Sequence, residues 1–146
     1  MRCNGCGATY DLARDSCAER FARLLALDHS RQEPWGSRHG LSFAAYALQH
    51  PTIHSDGSRA TSWYLLQHVY VQGTAAAHVL RVMRAHPGAV PDDVVVPPLP
   101  ERPDRPPPFG VTIADLGAFD AHAFATLLDA WCRATLAGYG VVLPTP

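Results

Sequence analysis

The segment 38–51 constrains the fold most, because its pattern predicts one helix with a defined end. At about 100° per residue, eleven residues return to within roughly 20° of the starting direction. One stripe of the predicted helix therefore carries four ring side chains: His39, Phe43, Tyr46 and His50. Pro51 disfavours helical geometry in the residue before it, which ends the helix at Gln49 or His50. Both imidazoles are expected to face the same way.

Three cysteines upstream of this helix supply further metal-capable side chains. Cys3 and Cys6 form a Cys-x-x-Cys turn with neighbouring glycines. This spacing is typical of a zinc knuckle, which binds half of a tetrahedral site. Ser16 and Glu19 have the spacing of a capping box, so Cys17 is predicted to lie in the first turn of a helix that runs to about Leu27. The helix dipole favours a thiolate at that position.

The sequence therefore predicts a zinc ion held by Cys3, Cys6, Cys17 and His39. His50 is the alternative fourth ligand, because it lies on the same stripe of the helix. The histidine that does not bind the metal would support the ligands or take part in catalysis. A redox-active Cys-x-x-Cys pair is the other interpretation, but no segment before Cys3 can form the strand that a thioredoxin-like fold requires.

Composition limits the class of protein. The chain has 146 residues, of which 47% are hydrophobic and 17% charged, values that indicate one globular domain. The net charge is -1 and the 12 basic residues, all arginines, are scattered, so a nucleic-acid partner is not expected. No apolar run is long enough to span a membrane and no signal peptide is recognisable, which predicts a cytoplasmic protein.

The remaining chain is predicted to be mostly helical, in a single-domain bundle. A polar turn over 52–60 is followed by a helix from about residue 61 or 62 to Arg84, which Gly73 can break in two. Eight prolines between residues 91 and 108 predict an extended strap. Helices close the chain, a short one capped by Thr112 and a longer one from Asp120 to Gly138. We divide the domain 1–146 into a zinc-knuckle segment (1–20), a helical core (21–90), the Pro-rich strap (91–110) and C-terminal helices (111–146).

These motifs resemble a bacterial family known only as a domain of unknown function. The resemblance rests on the Cys-x-x-Cys-Gly turn from Cys3, the later Cys17, and the helix that carries His-x-Leu-Ser at 39–42 and Tyr-x-x-Gln-His-Pro at 46–51. It covers nearly the whole chain, and His68 matches a recurring position. Members usually carry Asp where this chain has Ala44, which implies that any reaction needing that carboxylate is lost here. The family implies no reaction of its own.

Two functions are compatible with these features. In the first, the zinc is structural, because three thiolates form an electron-rich, closed site, and the protein binds a partner protein or a small molecule. In the second, it is a zinc-dependent hydrolase, cyclase or transferase acting on a small molecule or natural product, with His50, Tyr46 and His68 as catalytic residues. A pocket into which the metal opens would favour the enzyme. A DNA-binding regulator is the weakest alternative.

Overall fold

The structure, a computed structural model, describes residues 1–85 and 96–145. Within these residues it contains five α-helices and no β-strand, apart from an isolated antiparallel bridge between Arg2 and Thr9. The prediction of a mostly helical single domain is confirmed. The helices are α1 (Cys17–His29), α2 (His39–Gln49), α3 (Asp56–Leu66), α4 (Ala76–Ala85) and α5 (Phe124–Gly138). None of the helices in the described part of the chain is long and apolar enough to cross a membrane.

Helix α2 lies at the centre of the fold and packs against α1, α3 and α5. Its small side chains allow this crowding, because Ala44, Ala45 and Ala47 are almost completely buried without filling much space. At its start, a Cβ atom on Gly40 would lie 2.6 Å from Cδ2 of Leu80 in α4, so the two helices approach closely there. Because three helices surround α2, the polar side chains at its end, Gln49 and His50, are also buried.

Helix α3 begins earlier than the sequence predicts. The polar segment 52–60 was expected to be a turn, but Ser55 caps a helix that starts at Asp56, accepting a hydrogen bond from the backbone N–H of Ser58 at 3.1 Å. A Ser side chain before an acidic first turn is a strong start signal for a helix. The predicted break at Gly73 is present, where φ is +73° after a π-helical turn over Gln67–Val71.

The described part of the Pro-rich strap, residues 96–110, has no regular secondary structure and lies against α3. Trp63 Nε1 donates to the carbonyl of Pro97 at 2.9 Å, and the buried guanidinium of Arg59 donates to the carbonyl of Pro100 at 3.4 Å. The predicted strap residues 91–95 lie outside the described residues. The division of the domain into four segments stays a prediction.

The C-terminal part follows the predicted order. Thr112 and Asp115 form a reciprocal capping box on a short 3₁₀ turn, Ile113–Leu116. Helix α5 starts at Phe124 rather than Asp120, because the Asp120 carboxylate accepts the N–H of His122 in a local turn. It buries a core stripe whose members are fully inaccessible: Phe124, Leu128, Trp131, Cys132 and Leu136. The prediction that Cys132 is a buried, small hydrophobic residue is confirmed.

One buried side chain joins α2 to this C-terminal part. Gln49, which has no exposed surface, donates from Nε2 to the carbonyl of Val111 and to Oγ1 of Thr135, both at 2.9 Å. A buried amide with two such partners fixes the rotation of the last turn of α2.

We predict that Gln49→Leu lowers the free energy of unfolding by about 1–3 kcal/mol, because it leaves buried acceptors without a donor. Urea unfolding followed by circular dichroism measures the change. The control is Gln32→Leu at an exposed position, where we expect a change within about 0.5 kcal/mol. Equal effects of the two substitutions would contradict the structural role of Gln49.

Candidate metal centre

The first ten residues form a tight reversal of the chain that presents two cysteines. The ends are paired, because Tyr10 N–H donates to the carbonyl of Met1 and the Met1 amine donates back to the Tyr10 carbonyl, each at 2.9 Å. Inside this loop, Cys3 N–H donates to the Ala8 carbonyl at 2.8 Å, and Gly7 N–H donates to the Cys3 carbonyl at 2.9 Å. Gly7 has a φ of +79°, a conformation that glycine adopts without strain. The turn brings the Cys3 and Cys6 side chains close to each other.

The third cysteine comes from the start of α1. Ser16 caps this helix by accepting the Glu19 N–H at 3.3 Å, which makes Cys17 its first residue. Cys6 and Cys17 are both 4% exposed, and their Sγ atoms lie 3.5 Å apart. In a tetrahedral zinc site, Zn–S bonds of about 2.3 Å place two sulfurs about 3.8 Å apart. The two thiols are therefore already close to the spacing of metal ligands.

The fourth side chain is His50, the residue that follows α2. Its Nδ1 lies 2.8 Å from the carbonyl of Tyr46, so the ring donates there, and in the neutral imidazole Nε2 carries the lone pair. Nε2 is buried and has no hydrogen-bond partner among the described residues. The ring is stacked on Tyr46 at 4.0 Å between centroids, and Tyr46 is stacked in turn on Phe21 at 3.8 Å. This orientation is typical of a metal-binding imidazole, whose other nitrogen bonds to a carbonyl.

Together these residues form a cluster that could hold a metal ion. One ligand atom from each of Cys3, Cys6, Cys17 and His50 lies within 4.8 Å of the other three. In the part of the chain that the structure describes, no other group of three or more such side chains is found. Three elements that are distant in sequence meet here, the N-terminal turn, the start of α1 and the end of α2.

Without a cation, the cluster shares its protons unequally. Hydrogen bonding from the Cys17 and Cys6 side chains lowers the pKa of Cys3. The same contacts, together with burial, raise the pKa of Cys17. Burial lowers the pKa of His50, but its interactions with the Cys3 and Cys6 side chains outweigh this effect and raise it to about 9. A bound cation would replace these protons, because the metal binds thiolates and neutral imidazole.

His39, the predicted fourth ligand, does not lie in this cluster. The histidine that lies with the three cysteines is His50, the predicted alternative. The stripe itself is present, because the His39 ring lies 6.4 Å from the Phe43 ring and Tyr46 stacks on His50. However, eleven residues of α-helix rise about 16 Å. The two histidines share a direction but sit at opposite ends of α2, so a compact site can include only one of them.

His39 instead pairs with Asp28, which lies just beyond the predicted end of α1 at about Leu27. His39 Nδ1 lies 3.0 Å from Asp28 Oδ2, and the side chains are 39% and 0% exposed, respectively. Helix α1 continues to His29, so Asp28 is its penultimate residue and shares the apolar stripe of Phe21 and Leu24. The sequence does contain a signal for this pair. An acidic residue lies on the apolar stripe of α1, and a buried carboxylate needs a partner.

The other predicted catalytic residues fall in different places. Tyr46 lies beside the cluster, where burial and then the charges of Cys17, Cys3 and Cys6 raise its pKa. This makes the phenol a poor acid. His68 is buried in the π-helical turn, with its ring 4.2 Å from that of Tyr64, and it is not part of the cluster.

A cavity of about 330 Å³ adjoins the cluster. Three of the four potential ligands line it, namely Cys3, Cys17 and His50. Cys6 does not line it and faces the interior. The sequence analysis named such a pocket as the feature that distinguishes the enzyme hypothesis from a structural zinc site.

Gly5 allows the N-terminal turn to contact the end of α2. A Cβ atom at this position would lie 2.7 Å from Cδ2 of His50 and 2.9 Å from the carbonyl oxygen of Gln49. We predict that Gly5→Ala displaces the turn from His50 and weakens metal affinity about 10- to 100-fold, the range typical of disturbed ligand support. Competition with a chromophoric chelator measures the affinity.

The control for this prediction is Gly57→Ala in α3. A Cβ atom there meets nothing closer than Ser55 Oγ at 3.9 Å. Alanine also suits a helix better than glycine does, so metal affinity should not change. Unchanged affinity in Gly5→Ala would show that the turn and His50 do not form one site.

Comparison with curated proteins and with solved structures gives no significant match. A family comparison does give one, and it covers residues 1–140, which include the N-terminal turn and all five helices. The chain belongs to a family of unknown function, DUF5946.

Proposed function

We propose that Cys3, Cys6, Cys17 and His50 bind a zinc ion with a structural role, and that this zinc-stabilised helical protein acts by binding a partner protein or a small molecule. The observation that carries the proposal is the buried Nε2 of His50, which has no hydrogen-bond partner among the described residues. One ring nitrogen of this side chain and three cysteine sulfurs lie within 4.8 Å of one another. Three sulfurs and one imidazole nitrogen are a donor set that suits tetrahedral zinc.

The position of the cluster supports a structural role. Residues 1–16 contain no α-helix, and residues 11–14 are exposed. Such a segment buries little apolar surface, so it gains little from the hydrophobic effect. Zinc would fix it to the start of α1 and the end of α2, and four protein ligands would leave no position for a catalytic water. None of the four cysteines forms a disulfide, so the three in the cluster are available as metal ligands.

A second cavity supports the binding of a small molecule. It has a volume of about 500 Å³ and is lined mainly by apolar groups of α2, α3 and α4, including Phe43, Leu65, Leu80 and Met83. Its size lies within the range of small-molecule sites. The enzyme alternative is favoured by a different observation, the smaller cavity beside the metal cluster.

We predict that His50→Ala loses the metal, whereas His39→Ala retains it. Elemental analysis of each purified protein gives the zinc content. His39→Ala is a demanding control, because it leaves the buried Asp28 carboxylate without its partner and so lowers stability without touching the cluster. Loss of zinc from both variants, or from neither, would contradict the proposed ligand set.

We also predict that a chelator lowers the midpoint of thermal unfolding. A ligand that binds only the folded state stabilises it by about 4 kcal/mol at a thousandfold excess over its dissociation constant. The protein without zinc should therefore unfold at a lower temperature, and readdition of zinc should restore the original midpoint. An unchanged midpoint would show that the metal is not structural.

A further inference from the structure

The three cysteines of the cluster differ in their access to solvent. Cys6 and Cys17 are each 4% exposed, whereas Cys3 is only partly buried and lies in the wall of the 330 Å³ cavity. Cys17 also lines this cavity, but its burial leaves little surface for attack. A small molecule that enters the cavity therefore meets the sulfur of Cys3 first.

The charge of the site favours attack by this sulfur. A zinc ion with three thiolates and a neutral imidazole carries a net charge of -1, so the sulfurs remain electron-rich. Metal binding also keeps the thiolate deprotonated at neutral pH, where a free cysteine is mostly protonated. The thiolate is the reactive form of cysteine.

We propose that Cys3 is a metal-bound nucleophile that accepts an alkyl group from a small, soft electrophile. This inference rests on the proposed zinc site. An electron pair of Cys3 Sγ forms a bond to the electrophilic carbon, and the bond from that carbon to its leaving group breaks. The leaving group departs with the bonding pair, and Cys3 becomes a thioether. The charge of the zinc site changes from -1 to 0, with no oxidant or reductant.

The cavity limits the class of electrophile. Its volume of about 330 Å³ is at the lower end of the range for ligand sites, which favours a small molecule. Arg2 and the hydroxyl-bearing residues Tyr10 and Thr52 line the same cavity.

The test is alkylation of the zinc-loaded, 146-residue chain with iodoacetamide. Peptide mass spectrometry follows each cysteine over time, and a chromophoric chelator reports zinc release in parallel. We expect Cys3 to be modified about tenfold or more faster than Cys6 and Cys17, and before zinc is released. Cys132 has no exposed surface and serves as an internal control that stays unmodified in the folded protein. Cys132→Ser should leave the rate at Cys3 unchanged.

Any of three results would overturn the inference. Modification of Cys6 or Cys17 as fast as Cys3 would show that the cavity does not select one sulfur. Modification of Cys3 only after zinc release would show that the metal protects the thiolate instead of presenting it. Zinc content is measured before the reaction, so a protein without zinc refutes the proposed function, whereas a zinc-loaded protein with an unreactive Cys3 refutes only this inference.

Discussion

The hydrogen bond from His50 Nδ1 to the Tyr46 carbonyl is the interaction on which the cysteine–histidine cluster depends. It joins the residue that follows α2 to the last turn of that helix, so the imidazole cannot rotate independently of the helix. In the neutral ring this bond also fixes the tautomer, which leaves the lone pair on Nε2 available to a metal ion. The N-terminal segment, which has little core of its own, thus packs against a side chain that α2 holds in a fixed position.

Gln49, the preceding residue, links the same turn to the other side of the molecule. Its amide binds Val111 and Thr135, while His50 contributes to the cluster with α1 and the N-terminal turn. Gln49 and His50 thus connect the end of α2 to two different parts of the molecule. This is why the end of α2 is completely buried even though it is polar, with both side chains at most 4% exposed.

Local signals in the sequence were sufficient for much of the fold. Ser16 and Thr112 start helices where their capping patterns predict, and Pro51 follows the end of α2. The choice between His39 and His50 was not accessible in the same way. Helical periodicity gives the direction of a side chain but not which end of the helix the cysteines approach, and that depends on tertiary packing. The partnership of Asp28 with His39 was missed because α1 continued two residues beyond its predicted end.

The backbone of the Pro-rich strap has more hydrogen-bond acceptors than donors. Proline has no backbone N–H, so a segment rich in proline offers mainly carbonyl acceptors. The surface beneath it must supply the donors, and Trp63 and Arg59 do so from one face of α3. One strap side chain adds to this attachment, because Arg102 donates to Asp56 Oδ1 and to the carbonyl of His54, each at 2.8 Å. A redesigned connection between α4 and α5 would therefore need carbonyls in register with Trp63 and Arg59, together with one cationic side chain opposite Asp56.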